Sequence, residues 1–423
     1  MWEKFQRIWS VKDLRLKIFF VLGMLVIFRV AAHIPIPGIN TENLRQFLSG
    51  NQILGLLNIF SGGTIENFSL VMLGVAPYIT ASIIFQLLTM VVPQLEELSK
   101  EGETGQQKIS MYTRITTIPL ALLQGFGLLQ LLRQSQQPIL GDLSTFNFVV
   151  ILLSVTAGTV FLMWIGELIT EKHIGNGVSL LIFAGIIAGL PTVVRNAVVN
   201  YYSANLYTYL LFVAIAIATI VGVVIISEGQ RNIPVTYAKQ IRGTRNLGGA
   251  QSHLPLRVNM AGVIPIIFAI SVVLFPSVIA QFFVTRSGIM AILAQKVIDL
   301  FENQLFYGLL YFVLVFGFTY FYTAVIFKPD KIAENLQRQG GFIPGIRPGK
   351  QTEEYLRQTM QRLVLPGALF LGLIAVLPLL VQVITDTQSL VIGGTSLLIV
   401  VSVAIETTKQ IEAQLTMHEY NRI

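Results

Sequence analysis

Few side chains of this 423-residue chain have the types and spacing that covalent chemistry needs. There is no cysteine, so there is no thiol nucleophile, thiolate metal site or disulfide. The four histidines, His33, His173, His253 and His418, are scattered and show no metal-ligand spacing. Gly349-Lys350 has Pro344 and Gln351 where a phosphate-cradling loop needs glycine and Ser or Thr, so no nucleoside triphosphate is held that way. No catalytic, cofactor or metal residue is expected.

The carboxylates carry the same message. Glu167, Glu171, Asp386 and Glu406 fall at the ends of apolar segments, not in their middles. Proton- or sodium-driven transporters usually bury Asp, Glu or His inside their spans. Arg29 is the one clear charge inside an apolar stretch. An arginine there costs about 2.5–3.5 kcal/mol, so it should snorkel or find a partner, and a structural role is favoured.

The elements that would position these residues are membrane helices. The chain is 53% hydrophobic and 12% charged, with mean hydropathy +0.69, and a soluble domain carries roughly twice that charged fraction. Ten apolar segments are long enough to cross a bilayer: 18–36, 68–92, 115–132, 148–167, 177–194, 207–227, 261–284, 305–327, 363–384 and 390–407. A backbone in lipid must satisfy its own hydrogen bonds, so these are helices. The fold class expected is an all-α integral membrane protein.

Two motifs recur in the same order. Gly74-Val75-Ala76-Pro77-Tyr78-Ile79 is echoed by Gly262-Val263-Ile264-Pro265-Ile266-Ile267. Gly177-Val178-Ser179-Leu180-Leu181-Ile182 is echoed by Gly394-Thr395-Ser396-Leu397-Leu398-Ile399. Each copy lies five spans from its twin, the mark of an internal repeat. Five crossings per half turn the second half upside down, which brings the functional site to the bilayer midplane where the halves meet.

Charge sets the orientation. Of the 29 Lys and Arg residues, 23 lie in the N-terminus, the alternate loops after spans two, four, six and eight, the start of span nine, or the tail. The opposite loops hold only Arg45, Arg133, Arg195, Arg286 and Lys296. The positive-inside rule then makes both termini cytoplasmic, as ten crossings require.

The expected organisation is an amphipathic lead-in over 1–17, a first five-helix half over 18–194, a second over 195–407, and a short tail over 408–423. The first half includes an external segment near 53–67, too short to span; it reads equally as a re-entrant piece or an interfacial loop. The second half carries the long basic loops 228–258 and 328–362. Their Arg242-Gly243-Thr244-Arg245 and Gly340 to Lys350 turns suit docking to an acidic surface, nucleic acid or protein, beyond merely setting topology. The repeated motifs offer aliphatic side chains at the midplane. Such a ring gates by dewetting, yet the same residues also fit ordinary helix packing. Pro77 and Pro265, one turn away, should break the helix ladder there.

The chain resembles bacterial SecY, the central channel subunits of the Sec protein translocase, over essentially its whole length. The likeness rests on Phe28-Arg29 with Ile34-Pro35-Ile36-Pro37-Gly38, on Asn58 to Gly63, Pro77 to Ile84, Gly175-Asn176-Gly177, His253 to Pro265, Phe342 to Gly349, and Gly393 to Val400. It implies ten transmembrane helices in two inverted five-helix halves around a central pore. Val75, Ile79, Val178, Ile182, Ile267 and Ile399 stand at the family's pore-ring positions. Asn58, Phe60, Ser61 and Gly62 match its plug, and Ser82, Gln86 and Asn259 lie near its lateral gate. Arg242, Arg245, Arg347 and Lys350 stand where the family docks ribosomes and the motor ATPase SecA. The resemblance further implies small membrane subunits SecE and SecG, signal sequences and nascent polypeptides as passengers, membrane lipid at the gate, and a bacterial inner-membrane location. Some positions depart from the family pattern. Val75 and Val178 stand where isoleucine is common, Gln106-Gln107 replaces a usual Arg-Arg, and Asn246 follows Arg245 where a second arginine is common. The function expected is a passive, gated channel for unfolded polypeptide. Rival readings are an ion-coupled small-solute transporter with the same inverted layout and an insertase without a through-pore.

Overall fold

The computed structural model describes residues 6, 8–37, 39, 41–50, 58, 61–133, 139, 144–199, 206–237, 240–242, 245–247, 251–284, 288–385 and 393–420. Among them, a helix coincides with each predicted span: α1 (Lys12–Ala31), α3 (Ala76–Val91), α5 (Glu103–Arg133), α6 (Thr145–Thr170), α7 (Gly177–Val199), α8 (Leu206–Glu228), α9 (Ile264–Val284), α11 (Gln304–Ile326), α13 (Lys350–Thr385) and α14 (Gly393–Tyr420). Shorter helices are α2 (Thr41–Gly50), α4 (Pro93–Lys100), α10 (Ile289–Glu302) and α12 (Pro329–Arg338). By length and composition alone, five helical stretches among the described residues qualify to cross a bilayer, or six if α3 and α4, bent by 100° at their join, count as one. Large apolar side chains stand bare on these helices: Leu305 is 85% exposed and Val91 78%. Such surfaces belong against lipid.

Several helices outrun the apolar stretch that announced them. α5 begins at Glu103, α13 begins at Lys350 and α14 continues to Tyr420. Hydropathy stops at the first charges, but the hydrogen-bond ladder need not.

The second predicted span is corrected at its start. Residues 68–75 are turns, apart from a lone β-bridge from Ser69 to Pro35, and the helix begins at Ala76. Gly74 takes a left-handed φ of 58°, which an α-helix cannot contain, and Pro77 in the first turn starts the helix after it. The second copy does the same: Gly262 has φ 62° and Pro265 follows Ile264, the first helical residue. Neither proline breaks a helix. Each sits where a missing N–H costs nothing.

The chain divides into two compact units. The first comprises 1–211, 270–307 and 399–423, and the second 212–269 and 308–398. These limits cross the repeat boundary, because compactness follows packing and the repeat follows sequence.

In the first unit, a core of Leu44, Ile65, Phe68, Met72, Leu129, Leu132 and Val155 gathers α2, residues 61–75, α5 and α6. In the second unit, strands not anticipated from sequence join the two basic loops. β1 (Gln230–Tyr237) pairs antiparallel with β4 (Gln251–Arg257), and at Thr236 and Tyr237 with β5 (Gly341–Phe342). β2 (Gln240–Arg242) and β3 (Arg245–Leu247) form a separate hairpin between them. Inward-facing Ile233, Val235 and Leu256 share a core with Phe327, Leu336, Ile343, Leu356, Met360 and Val364. Among the described residues, the fold is therefore helical with a three-stranded sheet and a separate two-stranded hairpin.

Candidate functional site

The ring positions sit at the starts of four helices. Val75 immediately precedes α3, and the Ile79 N–H donates to its carbonyl at 3.0 Å. In the second copy the Ile267 N–H donates to the Val263 carbonyl at 3.3 Å. Val178 and Ile182 lie four apart on α7, hence on one face. Five of the six are buried, Ile399 completely and Ile79 at 8% exposed; Val178 is half-buried. The twin motifs also match in burial: Ser179 and Ser396, Leu181 and Leu398, Ile182 and Ile399 are all buried. Val75, Ile79, Val178, Ile182 and Ile399 belong to the first unit and Ile267 to the second. None of the six carries a hydrogen-bonding side chain, so each offers only an apolar surface.

The segment leading to α3 is a dense hydrogen-bonded knot. The Asn58 carbonyl accepts from the Ser61 hydroxyl at 2.9 Å and the Gly63 N–H at 2.8 Å. The Asn58 side-chain oxygen accepts from the Glu66 N–H at 3.0 Å. The buried Thr64 hydroxyl donates to the Ser61 carbonyl at 3.0 Å, and Ser69 donates to the Thr64 carbonyl at 3.2 Å. Ser61 and Gly62 are buried, and Arg45 pairs with Glu66 at 3.0 Å. Of the plug positions, Phe60 lies outside the described residues. Arg29, the lone span charge, donates to the Gly62 carbonyl at 2.9 Å, and its own carbonyl faces His33 Nδ1 at 2.8 Å.

The gate positions share an unmet demand. Gln86 donates to Ser82, one turn back on α3, at 3.2 Å. Asn259 donates to the Gly262 carbonyl at 3.3 Å. The side-chain oxygens of Gln86 and Asn259 are buried without a hydrogen-bond partner among the described residues. A buried acceptor left unpaired costs about 1–3 kcal/mol, so both sites are primed to take a donor.

The basic positions lie on the second unit's sheet module. Arg242 and Arg245 are opposite one another at the tip of the β2–β3 hairpin; their side chains lie outside the described residues. Arg347 and Lys350 are exposed. Between them and the core, Ile343 is buried, while Gly345 at φ 83° and Gly349 at φ 95° make the turns. The Arg347 carbonyl accepts from the buried Thr352 hydroxyl at 2.9 Å, which fixes the backbone beneath the guanidinium.

Other titratable groups make ion pairs or hydrogen bonds among the described residues. Glu167 pairs with Arg114 at 2.6 Å, joining α5 to α6. His418 bonds Asp13 at 3.2 Å. Among the described residues no group of His, Asp or Glu could hold a metal ion.

Buried aliphatic positions at the starts of membrane helices, with a basic module in the second unit, fit a channel subunit. The comparisons agree. The SecY family model matches residues 69–408. The protein translocase subunit SecY of Halalkalibacterium halodurans is 44% identical, with 99% of each chain covered, and that of Mycobacterium bovis is 44% identical, with 96% of each covered. Among solved structures, a protein-conducting channel superposes with a TM-score of 0.63 at 16% identity, covering 94% of this chain and 91% of the other. Canine Sec61 in a ribosome–channel complex gives 0.56 at 15% identity, with the same coverage. The chain belongs to the SecY family. It is a multi-pass membrane protein and a non-enzymatic channel subunit for protein translocation, and the solute-transporter reading is not supported.

Proposed function

We propose that this chain passes unfolded polypeptides through an aliphatic ring of Val75, Ile79, Val178, Ile182, Ile267 and Ile399. Signal or transmembrane segments leave sideways past Ser82, Gln86 and Asn259. The observation that carries the reading is the burial of uncharged aliphatic side chains at both copies of the repeat, since an apolar constriction blocks hydrated ions without binding them. The knot around Asn58, Ser61 and Gly62 is the plug's base, to which Phe60 belongs by its place in the sequence, and it seats when the channel is idle. The side-chain oxygens of Gln86 and Asn259, each without a partner among the described residues, support a role at the gate that does not lock it shut.

The driving force comes from outside the chain. Arg242, Arg245, Arg347 and Lys350 dock a ribosome or the motor ATPase SecA. Like charges opposite one another on a hairpin are unfavourable alone and favourable against an anionic partner, which supports Arg242 and Arg245 in that role. SecE and SecG complete the complex in the bacterial inner membrane, with both termini cytoplasmic.

Planar-bilayer conductance of the full-length protein, intact and with residues 57–67 deleted, tests this reading. We expect silence from the intact chain and large, poorly selective openings from the deletion. Silence from both would remove the plugged pore and favour an insertase.

A further inference from the structure

The plug's base is held by residues that neither the ring nor the gate uses. Gly62 is held between two helices within the first unit. On one side is α1, where Arg29 donates to the Gly62 carbonyl at 2.9 Å and the buried Phe28 ring stands 3.3 Å from where a Gly62 Cβ would be. On the second side is α7: a Cβ on Gly62 would lie 2.7 Å from the Gly185 Cα, and a Cβ on Gly185 would overlap the Gly62 Cα. The adjoining Ser61 is approached in turn by Gly74, where a Cβ would lie 3.2 Å from the Ser61 Cα. Gly62 also has a left-handed φ of 79°, so both its conformation and its space require glycine.

The α7 contact has a meaning beyond packing. Val178, Ile182 and Gly185 follow at i, i+4 and i+7, one stripe of one helix. Gly185 is three residues past Ile182, about 4.5 Å further along the axis. The backbone of the plug's base therefore rests on the stripe that carries two ring positions, one turn beyond them. Gly74, against Ser61, immediately precedes ring position Val75.

We propose that Arg29 and Gly185 are positioning residues for the seal: the Arg29 guanidinium clasps the Gly62 carbonyl and presses Gly62 against Gly185, fixing the plug's base against the ring-bearing stripe. This explains why a costly span charge is present without serving transport. An arginine binds a carbonyl strongly where water is scarce, and the bond is broken by moving one segment without unfolding a helix. The inference rests on the plug reading above, and its test separates the two.

Full-length protein in planar bilayers is compared with Arg29→Met, Arg29→Lys, Gly185→Ala, Gly189→Ala and the 57–67 deletion. Gly189 lies one turn further along α7 with open space around it, so its variant controls for the helix preference of alanine. We expect Arg29→Met and Gly185→Ala to leak as the deletion does, with Arg29→Lys and Gly189→Ala silent. A second readout does not depend on conductance. The chain has no cysteine, so spin labels on Asn67→Cys and Gly189→Cys report the seat directly. That distance should lengthen and broaden in Arg29→Met and Gly185→Ala only. Silence and an unchanged distance in both variants, beside a leaking deletion, overturn the clasp and leave the plug standing. A silent deletion overturns the plug and the clasp with it. A leak in Arg29→Lys equal to that of Arg29→Met overturns the carbonyl bond as the holding contact.

Discussion

The two copies of the glycine–valine–proline turn share a backbone and differ in what reaches them. Gly74 and Gly262 have φ angles of 58° and 62°, each followed by a helix with proline second and a buried isoleucine one turn in. Around the first glycine a Cβ would meet Ser61 at 3.2 Å; around the second nothing lies within 4 Å. Upstream of the first copy stands the knot of residues 58–74. Upstream of the second stand Asn259 and strand β4 of the basic module. The repeated turn supplies a helix start with an aliphatic residue at a fixed place. In the proposed function, the inserted segments specialise it, one toward sealing and the other toward the docking module and gate. The proposed roles are thus divided by insertion, with the turn itself held constant.

That division breaks if the two neighbourhoods cannot be damaged separately. The largest effect expected is from Arg347→Glu, which should abolish motor-driven transport in reconstituted vesicles while the bilayer stays silent and the complex remains assembled. Transport at the unaltered rate would remove Arg347 from coupling, and an added ion leak would show that the module and the seal are one device. Next in size, Ile79→Gly and Ile267→Gly should each raise ion leak, and by similar amounts, because the residues are equivalent in the repeat. An unaltered seal in both would leave them as packing residues. A leak from Ile79→Gly alone would make the aliphatic seal a property of one copy.

Much of this was legible because membrane helices announce themselves over about twenty residues. All ten predicted spans coincide with a helix, and the paired motifs mark helix starts in both halves. The start of the second helix was not legible. Val71, Met72 and Leu73 are apolar because they are buried in a turn, and hydropathy cannot tell that burial from a span. The sheet was not anticipated, although Ile233, Val235 and Tyr237 alternate as strand residues do. Its third strand carries no such signal, since Gly341-Phe342 gains its meaning only by pairing with Thr236 and Tyr237. Arg29 was visible as an anomaly that needed a partner. Its partner is a backbone carbonyl, a group every residue carries, so no sequence pattern could name it. Gly185 likewise has its role from a close approach that glycine permits and does not advertise.

The glycines themselves give a smaller effect. Gly74→Ala and Gly262→Ala each force a side chain into the left-handed region, at roughly 1–2 kcal/mol. Gly74→Ala adds the contact with Ser61, so it should lower the unfolding midpoint further than Gly262→Ala in parallel thermal scans. Equal shifts would mean that Ser61 yields freely and that the knot does not grip the turn.

The smallest effect concerns chain ends outside both repeats. Asp13, in the first turn of α1 before the predicted span, accepts from Lys17 at 3.1 Å and bonds His418 of α14 at 3.2 Å. Lys17 first, then His418, hold its carboxyl below the ordinary carboxylate value. A depressed carboxylate stabilises the fold above its unfolded value, near pH 4, and that contribution is lost as the pH falls through the lower folded value. Because Asp13 is exposed and screened, the gain is slight. Asp13→Ala should therefore be marginally less stable than the parent at pH 7, with the difference shrinking as the pH falls below about 4. A difference that does not shrink on acidification would assign the loss to the residue change in α1 itself, not to the charge. A loss comparable to that of Gly74→Ala would show that the terminal tie constrains the first unit as strongly as the repeated turn does.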